Sequence, residues 1–394
     1  MGARPVTVAV DAACWWNDRG YGRFTRELVS ALAARDTGFR YVLVADRDPD
    51  DCFPSGVEVA RAATRRATSE VAVGAGARSP ADLWAAGRAL ARVGADLVFF
   101  PAVYSYAPVP RRGPCVVTFH DAIPERFPQL VFPTRRNRWL WRAKVALALR
   151  QATRVLTVSQ ASARDLETVL GVPRARIDLV SEAADPRFRP LGEAAVREAR
   201  RRWGLGDRRY LVYVGGLNPH KNLLGLLRAG VDLAKEFDDL AVAIVGDTSG
   251  RGFHDNLAEL RAFLAGQPDL AARVVFTGYV PDDELVALYS GAWAFVSPSL
   301  AEGFGLPALE AMACGLPVLA SDRGSLPEVV GEAGCFFDPD SPAAIAEATA
   351  RLLRDPARRE VLARAARRRA AAFSWERAAG EAEVCFRRAL GASG

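Results

Sequence analysis

Three residue types are scarce in this chain of 394: histidine occurs three times, methionine twice, and lysine only at 144, 221 and 235, although there are 52 basic residues. Arginine therefore carries nearly all the positive charge, a bias of coding composition that makes a lysine in a loop worth notice. With no cluster of His and Cys, no metal site is expected. The cysteines at 14, 52, 115, 314, 335 and 385 include no C-x-x-C pair. Several stand in apolar surroundings, which points to reduced buried thiols rather than a disulfide framework. No run of eighteen apolar residues is present, so no membrane-spanning helix is expected. No apolar run follows a basic start, so no signal peptide is expected and a cytoplasmic location is. Repeats and low-complexity tails are also missing, apart from an Ala/Arg-rich segment at 356–372 that reads as a surface helix. The net charge of +6 is modest and dispersed. It suits an anionic small ligand or a membrane surface, and no nucleic-acid partner is expected.

What is present is a globular chain, half of it hydrophobic and a quarter charged, too long for one core. Short apolar runs alternate with helical patterns from Val6 onward, which predicts doubly wound parallel sheets. In the first half, strands are expected at 6–10, 41–45, 96–100, 116–119 and 154–158. Helices are expected at about 23–34, at about 134–150, and from a Ser159 cap to Leu170. Asp185-Pro186-Arg187-Phe188-Arg189-Pro190 reads as a linker, and a second series of strands begins at Tyr210.

The densest stretch runs from Pro298 to Pro327. A short apolar strand at 294–297 leads into a loop with Glu302 and Gly303-Phe304-Gly305. Pro307 suits the first helical position, and Gly315 and Pro317 close the helix before another strand at 318–320. A loop at the carboxyl end of a strand and the amino end of a helix holds anions through free N–H groups. Two carboxylates frame it, Glu302 and, in the expected first helical turn, Glu310. Carboxylates accept hydrogen bonds and suit sugar hydroxyls. A ligand with a diphosphate between two hydroxyl-bearing ends, a nucleotide-sugar, satisfies the whole arrangement. A similar anion cradle follows the strand at 210–214, where Gly215, Gly216, Lys221 and Asn222 stand in GGLNPHKN. Gly20-Tyr21-Gly22 lacks the third glycine of a dinucleotide fingerprint, and a nicotinamide site is not expected. His120, in TFHDAIPERFP, stands at a strand's carboxyl end, where ligands gather in open α/β sheets, and Asp121 is expected to serve that loop as a turn acceptor. Asp338-Pro339-Asp340 reads as a helix-capping segment rather than a metal-holding pair.

The Glu, seven residues, Glu spacing with Gly-Phe-Gly inside it resembles the donor-site signature of the retaining glycosyltransferases of family 4. The resemblance covers nearly the whole chain. It implies the GT-B fold: two doubly wound Rossmann-like domains facing a cleft, with a C-terminal helix crossing back to the first. The implied domains are 1–186, binding the acceptor, 187–372, binding the donor, and a crossover helix at 373–394. It implies that Gly20, Gly22 and Arg23 lie near the diphosphate, that His120 reaches the sugar ring, and that Lys221 meets the diphosphate. Glu302 is expected to orient the hexose, and Glu310 to bind the ribose. Gly303, Phe304, Gly305 and Leu306 line the phosphate loop, and Gly278, Tyr279 and Val280 border the base.

Where the family carries an Arg, this chain has Gly216, one charge fewer unless His220 or Arg323 compensates. The reaction implied is same-face transfer, the leaving phosphate taking the acceptor's proton; double displacement with Glu302 as nucleophile is the chemical alternative. No cofactor is expected, the nucleotide-sugar being a substrate. The segments LNPHKN and SLPEV are similar to those of mannosyltransferase-like members and point to GDP-mannose, with UDP- and dTDP-sugars open. The acceptor is expected to be a glycan, a lipid-linked sugar or a small molecule. The Arg- and Trp-rich helix at 134–150 could then lie on an anionic membrane as a peripheral contact. Other classes considered are a sugar-nucleotide epimerase on the same fold, a pyridoxal-phosphate phosphorylase, for which only Lys221 and Lys235 are available in the second domain, and an inactive sugar-nucleotide binder.

Overall fold

The computed structural model describes residues 4–17, 20–47, 52–66, 78–248 and 256–391. The chain forms two compact units. The first comprises Met1–Arg126, Thr134–Glu182 and Ser374–Gly394, and the second Phe127–Pro133 and Ala183–Phe373.

The first unit is built on seven parallel strands: β1 (Val6–Asp11), β2 (Phe39–Ala45), β3 (Glu58–Arg61), β4 (Leu97–Phe100), β5 (Cys115–Thr118), β6 (Arg154–Thr157) and β7 (Ile177–Leu179). Their spatial order is β3-β2-β1-β4-β5-β6-β7. Helices on both faces explain why central strands such as Leu97-Val98-Phe99-Phe100 are apolar at every position and buried throughout. The helix Pro80–Arg92, which the sequence did not signal, is capped by Ser79, whose hydroxyl accepts from the Asp82 N–H. The expected Ser159 cap is present, accepting from the Ser162 N–H at 3.0 Å. The last helix, Trp375–Gly391, belongs to this unit. Phe386 meets Phe99 at 5.0 Å, and Glu383 accepts from Arg35 and from the Thr37 hydroxyl at 2.6 Å.

The second unit has six parallel strands: β8 (Arg209–Val214), β9 (Leu240–Val245), β10 (Val274–Gly278), β11 (Ala294–Ser297), β12 (Val318–Ser321) and β13 (Gly334–Phe337). They are ordered β10-β9-β8-β11-β12-β13. One core runs under the helix Leu223–Glu236, from Leu211 and Ile244 to Ile345 and Leu353.

The observed units differ from the expected boundaries at 182, at 127–133 and, by one residue, at 373. The chain leaves the first unit after Glu182 rather than at 186, and the Glu182 carboxylate lies 3.4 Å from His120 Nδ1 of the same unit. Phe127–Pro133 belongs to the second unit, where the short helix Pro128–Val131 packs on the turn Pro219–Lys221. Among the described residues, no helix is long and apolar enough to cross a membrane.

Candidate active site

In the second sheet the strand order reverses between β8 and β11, which lie side by side. Loops leaving such a pair diverge and open a crevice at the carboxyl ends of the strands. The loop after β8 ends in the turn Pro219–Lys221; the loop after β11 carries Glu302. They are joined by main-chain and side-chain bonds. The Leu300 N–H donates to the His220 carbonyl at 2.8 Å. Asn222 adopts a left-handed conformation, φ 55°, and its amide donates to the carbonyls of Pro298 at 3.1 Å and Pro339 at 2.7 Å. Both amide hydrogens are thereby used, and Asn222, expected to touch the donor, fastens three loops together.

That fastening brings Lys221 to Glu302. The ammonium donates to both carboxylate oxygens, at 2.8 and 2.9 Å. The Ser299 hydroxyl donates to Glu302 Oε1 at 2.7 Å, and the Ser325 hydroxyl to the Glu302 carbonyl at 3.1 Å. Gly324, at φ +61°, passes so near that a Cβ there would lie 2.8 Å from the Glu302 N and O. No other residue type fits that position without moving backbone. Ser299, Ser325 and Gly324 were not singled out from the sequence; the Ser-x-x-Glu spacing of 299 and 302 was the available signal.

Burial alone would raise the Glu302 carboxyl, but Lys221 and the bond from Ser299 outweigh it and hold the group below its ordinary 4.5. Glu302 is therefore a carboxylate of low basicity, suited to accept a hydroxyl and poorly suited to attack an anomeric carbon. His220 shifts down from 6.5 to about 4, through burial and then the neighbouring Lys221. Its Nδ1 has no hydrogen-bond partner among the described residues. The imidazole is neutral at pH 7 and does not replace the charge missing at Gly216. Neither does Arg323, which is engaged by Asp338 at 2.8 Å, Asp340 at 3.2 Å and Asp322 at 3.2 Å.

The His220 shift has a measurable consequence. Its contribution to stability is complete above pH 6.5 and is lost as pH falls towards about 4, because the unfolded imidazole takes its proton first. Discounted for partial exposure, the loss is about 2 kcal/mol. The unfolding midpoint of the wild type should fall relative to that of His220→Gln across this window; a constant difference would remove the shift.

The remaining expected donor contacts divide into main-chain and core positions. Gly305, φ +91°, precedes the helix Leu306–Ala313, so Pro307 takes its second rather than its first position. A Cβ on Gly305 would meet Leu326 at 2.9 Å. Gly303, Phe304 and Leu306 are buried, and the Phe304 ring packs edge-on against Phe373 at 5.8 Å. Phe304 and Leu306 thus face the core and leave to the loop only their backbones. Glu310 lies in the second helical turn, not the first, is 3% exposed, and accepts from the Tyr289 hydroxyl at 3.4 Å. After β8, the Gly215 carbonyl runs 2.2 Å from where a Gly246 Cβ would be, and Gly216 is exposed. After β10, Gly278 turns at φ +73°, Tyr279 is 61% exposed and Val280 is buried.

His120 is placed in the first unit and is buried. Its Nε2 lies 3.1 Å from the Pro101 carbonyl, which can only accept, so this nitrogen carries a hydrogen. Its Nδ1 lies 3.4 Å from Glu182 Oε1, and Phe24 meets the ring edge-on at 4.7 Å. Both ring nitrogens are thus occupied within this unit. Glu182, itself buried, was not foreseen, since nothing in Ser181-Glu182-Ala183 marks it. The Asp121 carboxylate accepts from the Ile123 N–H at 2.9 Å, the expected turn role. Gly20 and Gly22 form no glycine turn; they open the helix Gly20–Ala33, and Gly22 is required because a Cβ would lie 2.0 Å from the Asn17 carbonyl oxygen. Arg23 lies in the same helix; Asp18 and Arg19, the end of the preceding loop, are outside the described residues. Among the described residues, no three His, Cys, Asp or Glu side chains are grouped to hold a metal ion.

Comparison with known proteins adds the following. Residues 19–188 match the family described as Glycosyltransferase Family 4, and residues 196–369 the one described as Glycosyl transferases group 1. The O-antigen chain mannosyltransferase B of Escherichia coli is 34% identical over 261 residues, 66% of this chain and 67% of that protein. The D-inositol 3-phosphate glycosyltransferase of Salinispora tropica is 37% identical over 240 residues, 58% of this chain but only 49% of that protein. Sucrose-phosphate synthase from Thermosynechococcus elongatus superposes with a TM-score of 0.76 over 98% of this chain and 100% of that one, at 22% identity, a likeness of fold.

Proposed function

The chain belongs to glycosyltransferase family 4, with the GT-B architecture of two Rossmann-like units, and from that premise we propose that it transfers a hexosyl group from a nucleotide-sugar to a sugar-containing acceptor, with retention of anomeric configuration and without a metal. The observation that carries this reading is the Lys221–Glu302 pair at the switch point between β8 and β11. A half-buried ammonium beside a low-basicity carboxylate suits a ligand with an anionic leaving group next to a hydroxyl-bearing ring.

The Glu302 carboxylate occupies the Lys221 ammonium. When donor binds, its diphosphate competes for Lys221, and Glu302, still held by Ser299, accepts a hexose hydroxyl. As the anomeric bond breaks, charge grows on the diphosphate, where Lys221 and the positive dipole end of the helix Leu306–Ala313 oppose it. The acceptor hydroxyl attacks on the face from which the diphosphate leaves and passes its proton to the departing phosphate. Double displacement is disfavoured because Glu302 stays held by Ser299 and is used in accepting the hexose hydroxyl. Glu310 holds the ribose, and the exposed Tyr279 borders the base. By the names of the two relatives, a mannosyl donor is the first to try, and the acceptor class spans an O-antigen chain and an inositol phosphate.

A peripheral membrane contact suits a lipid-linked acceptor on a cytoplasmic membrane face. On the helix Arg135–Gln151, Trp139 is 67% exposed among exposed Arg135, Arg136, Arg138 and Arg142, whereas Trp141 turns inward and donates to Glu125 at 2.6 Å. Co-sedimentation with anionic vesicles, lost in Trp139→Ala, is the expected result.

The missing charge gives another prediction. A Cβ on Gly216 would press on the end of the Asn218 side chain, 2.6 Å away, which can rotate aside. Gly216→Arg should therefore be accommodated and bind the preferred nucleoside diphosphate about 1–2 kcal/mol more tightly. Calorimetry giving unchanged affinity would place Gly216 away from the phosphates.

Product analysis tests the function as a whole. Release of nucleoside diphosphate that depends on an acceptor, with a product of the donor's anomeric configuration by NMR, is expected. Inverted product, or conversion of the nucleotide-sugar alone, would contradict it.

A further inference from the structure

The first sheet has a switch point of its own, between β1 and β4. Asp11 is the last residue of β1, and the turn Val103–Ser105 follows β4. Asp11 is 3% exposed; its Oδ1 accepts a long bond from the Ala13 N–H at 3.4 Å, the Ser105 hydroxyl also interacts with the carboxyl, and its Oδ2 has no hydrogen-bond partner among the described residues. Two cations converge on the same turn. Arg78 donates through Nη1 to the Ser105 carbonyl at 2.8 Å, while its buried Nε and Nη2 have no hydrogen-bond partner among the described residues. Lys144 donates to the Tyr104 carbonyl at 2.8 Å. Burial raises the Asp11 carboxyl to about 6 although Ser105 and Arg78 pull it down, and burial followed by Arg78 lowers Lys144 to about 8. Folded proteins pair nearly all buried polar groups, so a carboxylate oxygen and two guanidinium N–H groups left over in one cluster are groups awaiting a ligand.

The chemistry of that ligand follows from which atoms are left. Asp11 needs a donor; Arg78 needs acceptors for two adjacent N–H groups set in one plane. A hydroxyl is both donor and acceptor. Two neighbouring hydroxyls can take the Arg78 N–H pair through their oxygens while one gives its hydrogen to Asp11 Oδ2. A phosphate dianion has no hydrogen for Asp11 and meets its negative charge, reinforced by buried Asp46 at the end of β2. We propose that Asp11 and Arg78 form the acceptor's sugar subsite and select a neutral sugar with two adjacent hydroxyls over a phosphomonoester. This rests on the reading of the chain as a glycosyltransferase given above.

The test uses the full chain with methyl α-mannoside as the neutral probe and inorganic phosphate as the anionic one. Binding is followed by ligand-observed NMR in the presence of nucleoside diphosphate. The wild type should bind the glycoside, and phosphate should not displace it. Asp11→Asn and Arg78→Met should each weaken glycoside binding at least about tenfold and leave nucleoside diphosphate affinity unchanged. If Asp11→Asn does not fold, as its melting curve will show, Arg78→Met decides. Glycoside affinity unchanged in a folded variant, displacement by phosphate, or no glycoside binding to the wild type overturns the proposal. Failure of the wild type to bind any nucleoside diphosphate would instead count against the glycosyltransferase reading itself.

Discussion

Lys221→Ala is expected to lower kcat/KM by about 2–4 kcal/mol, a factor of roughly 10²–10³, the range found when a donor facing developing charge is removed. The side chain is 21% exposed and points at a carboxylate that is 13% exposed, so little else can stand in for it. The nearby alternatives are already spent: His220 is neutral at pH 7, and Arg323 is bound by three carboxylates. The substitution also strands Glu302 in a buried position. Breaking a buried pair from one side costs about 3–5 kcal/mol, less here because both groups keep some access to water. Lys221→Ala/Glu302→Gln should therefore recover most of the lost stability while remaining inactive. Chemical denaturation of the single and double variants, with steady-state kinetics on each, separates the two effects. A stable, active Lys221→Ala would remove Lys221 from the site.

Glu310→Gln and Glu302→Gln should fail in different ways. Glu310 lies beyond the Gly-Phe-Gly loop, inside the helix it opens, and is expected to hold ribose. Losing a charged acceptor there should weaken both free nucleoside diphosphate and nucleotide-sugar by about 1.5–3 kcal/mol. Glu302 lies before the loop, on the hexose side. Glu302→Gln should not weaken nucleoside diphosphate binding, since Lys221 is freed rather than lost, and should reduce transfer. Titration calorimetry on the two variants distinguishes them. Equal weakening would mean that the order hexose, diphosphate, ribose along this segment is wrong.

The parts of this molecule that could be read from sequence are those written in neighbouring residues. Apolar runs punctuated by Gly and Pro locate the central strands, and Glu302, Gly303, Gly305 and Glu310 stand close enough to form one motif. Partners far apart in the chain left no such mark. Lys221 and Glu302 were each singled out, but their bond joins residues 81 apart. The His120–Glu182 contact depends on β5, β6 and β7 lying side by side, and β7 is only three residues long. The edge strand β3 is half-polar and mostly exposed, so it lacks the apolar signal of the strands it joins. Gly20 and Gly22 lie inside the helix Gly20–Ala33, which was expected from about 23, and at Gly22 the need is space beside the Asn17 carbonyl. Phe304 belongs to a ligand loop by sequence and to the core by packing. No motif marks Asp11 in the sequence; what distinguishes it is a buried oxygen without a hydrogen-bond partner among the described residues.

The central claim is that the loops after β8 and β11 hold the diphosphate of a nucleotide-sugar through Lys221. The most direct measurement is the shift in unfolding midpoint produced by UDP, GDP and dTDP on the wild type and on Lys221→Ala. A ligand that binds only the folded state raises the midpoint by an amount that grows with the logarithm of its concentration over Kd. One diphosphate should stabilise the wild type clearly and the variant far less. Stabilisation by none of the three, or an equal shift in both proteins, would contradict the account.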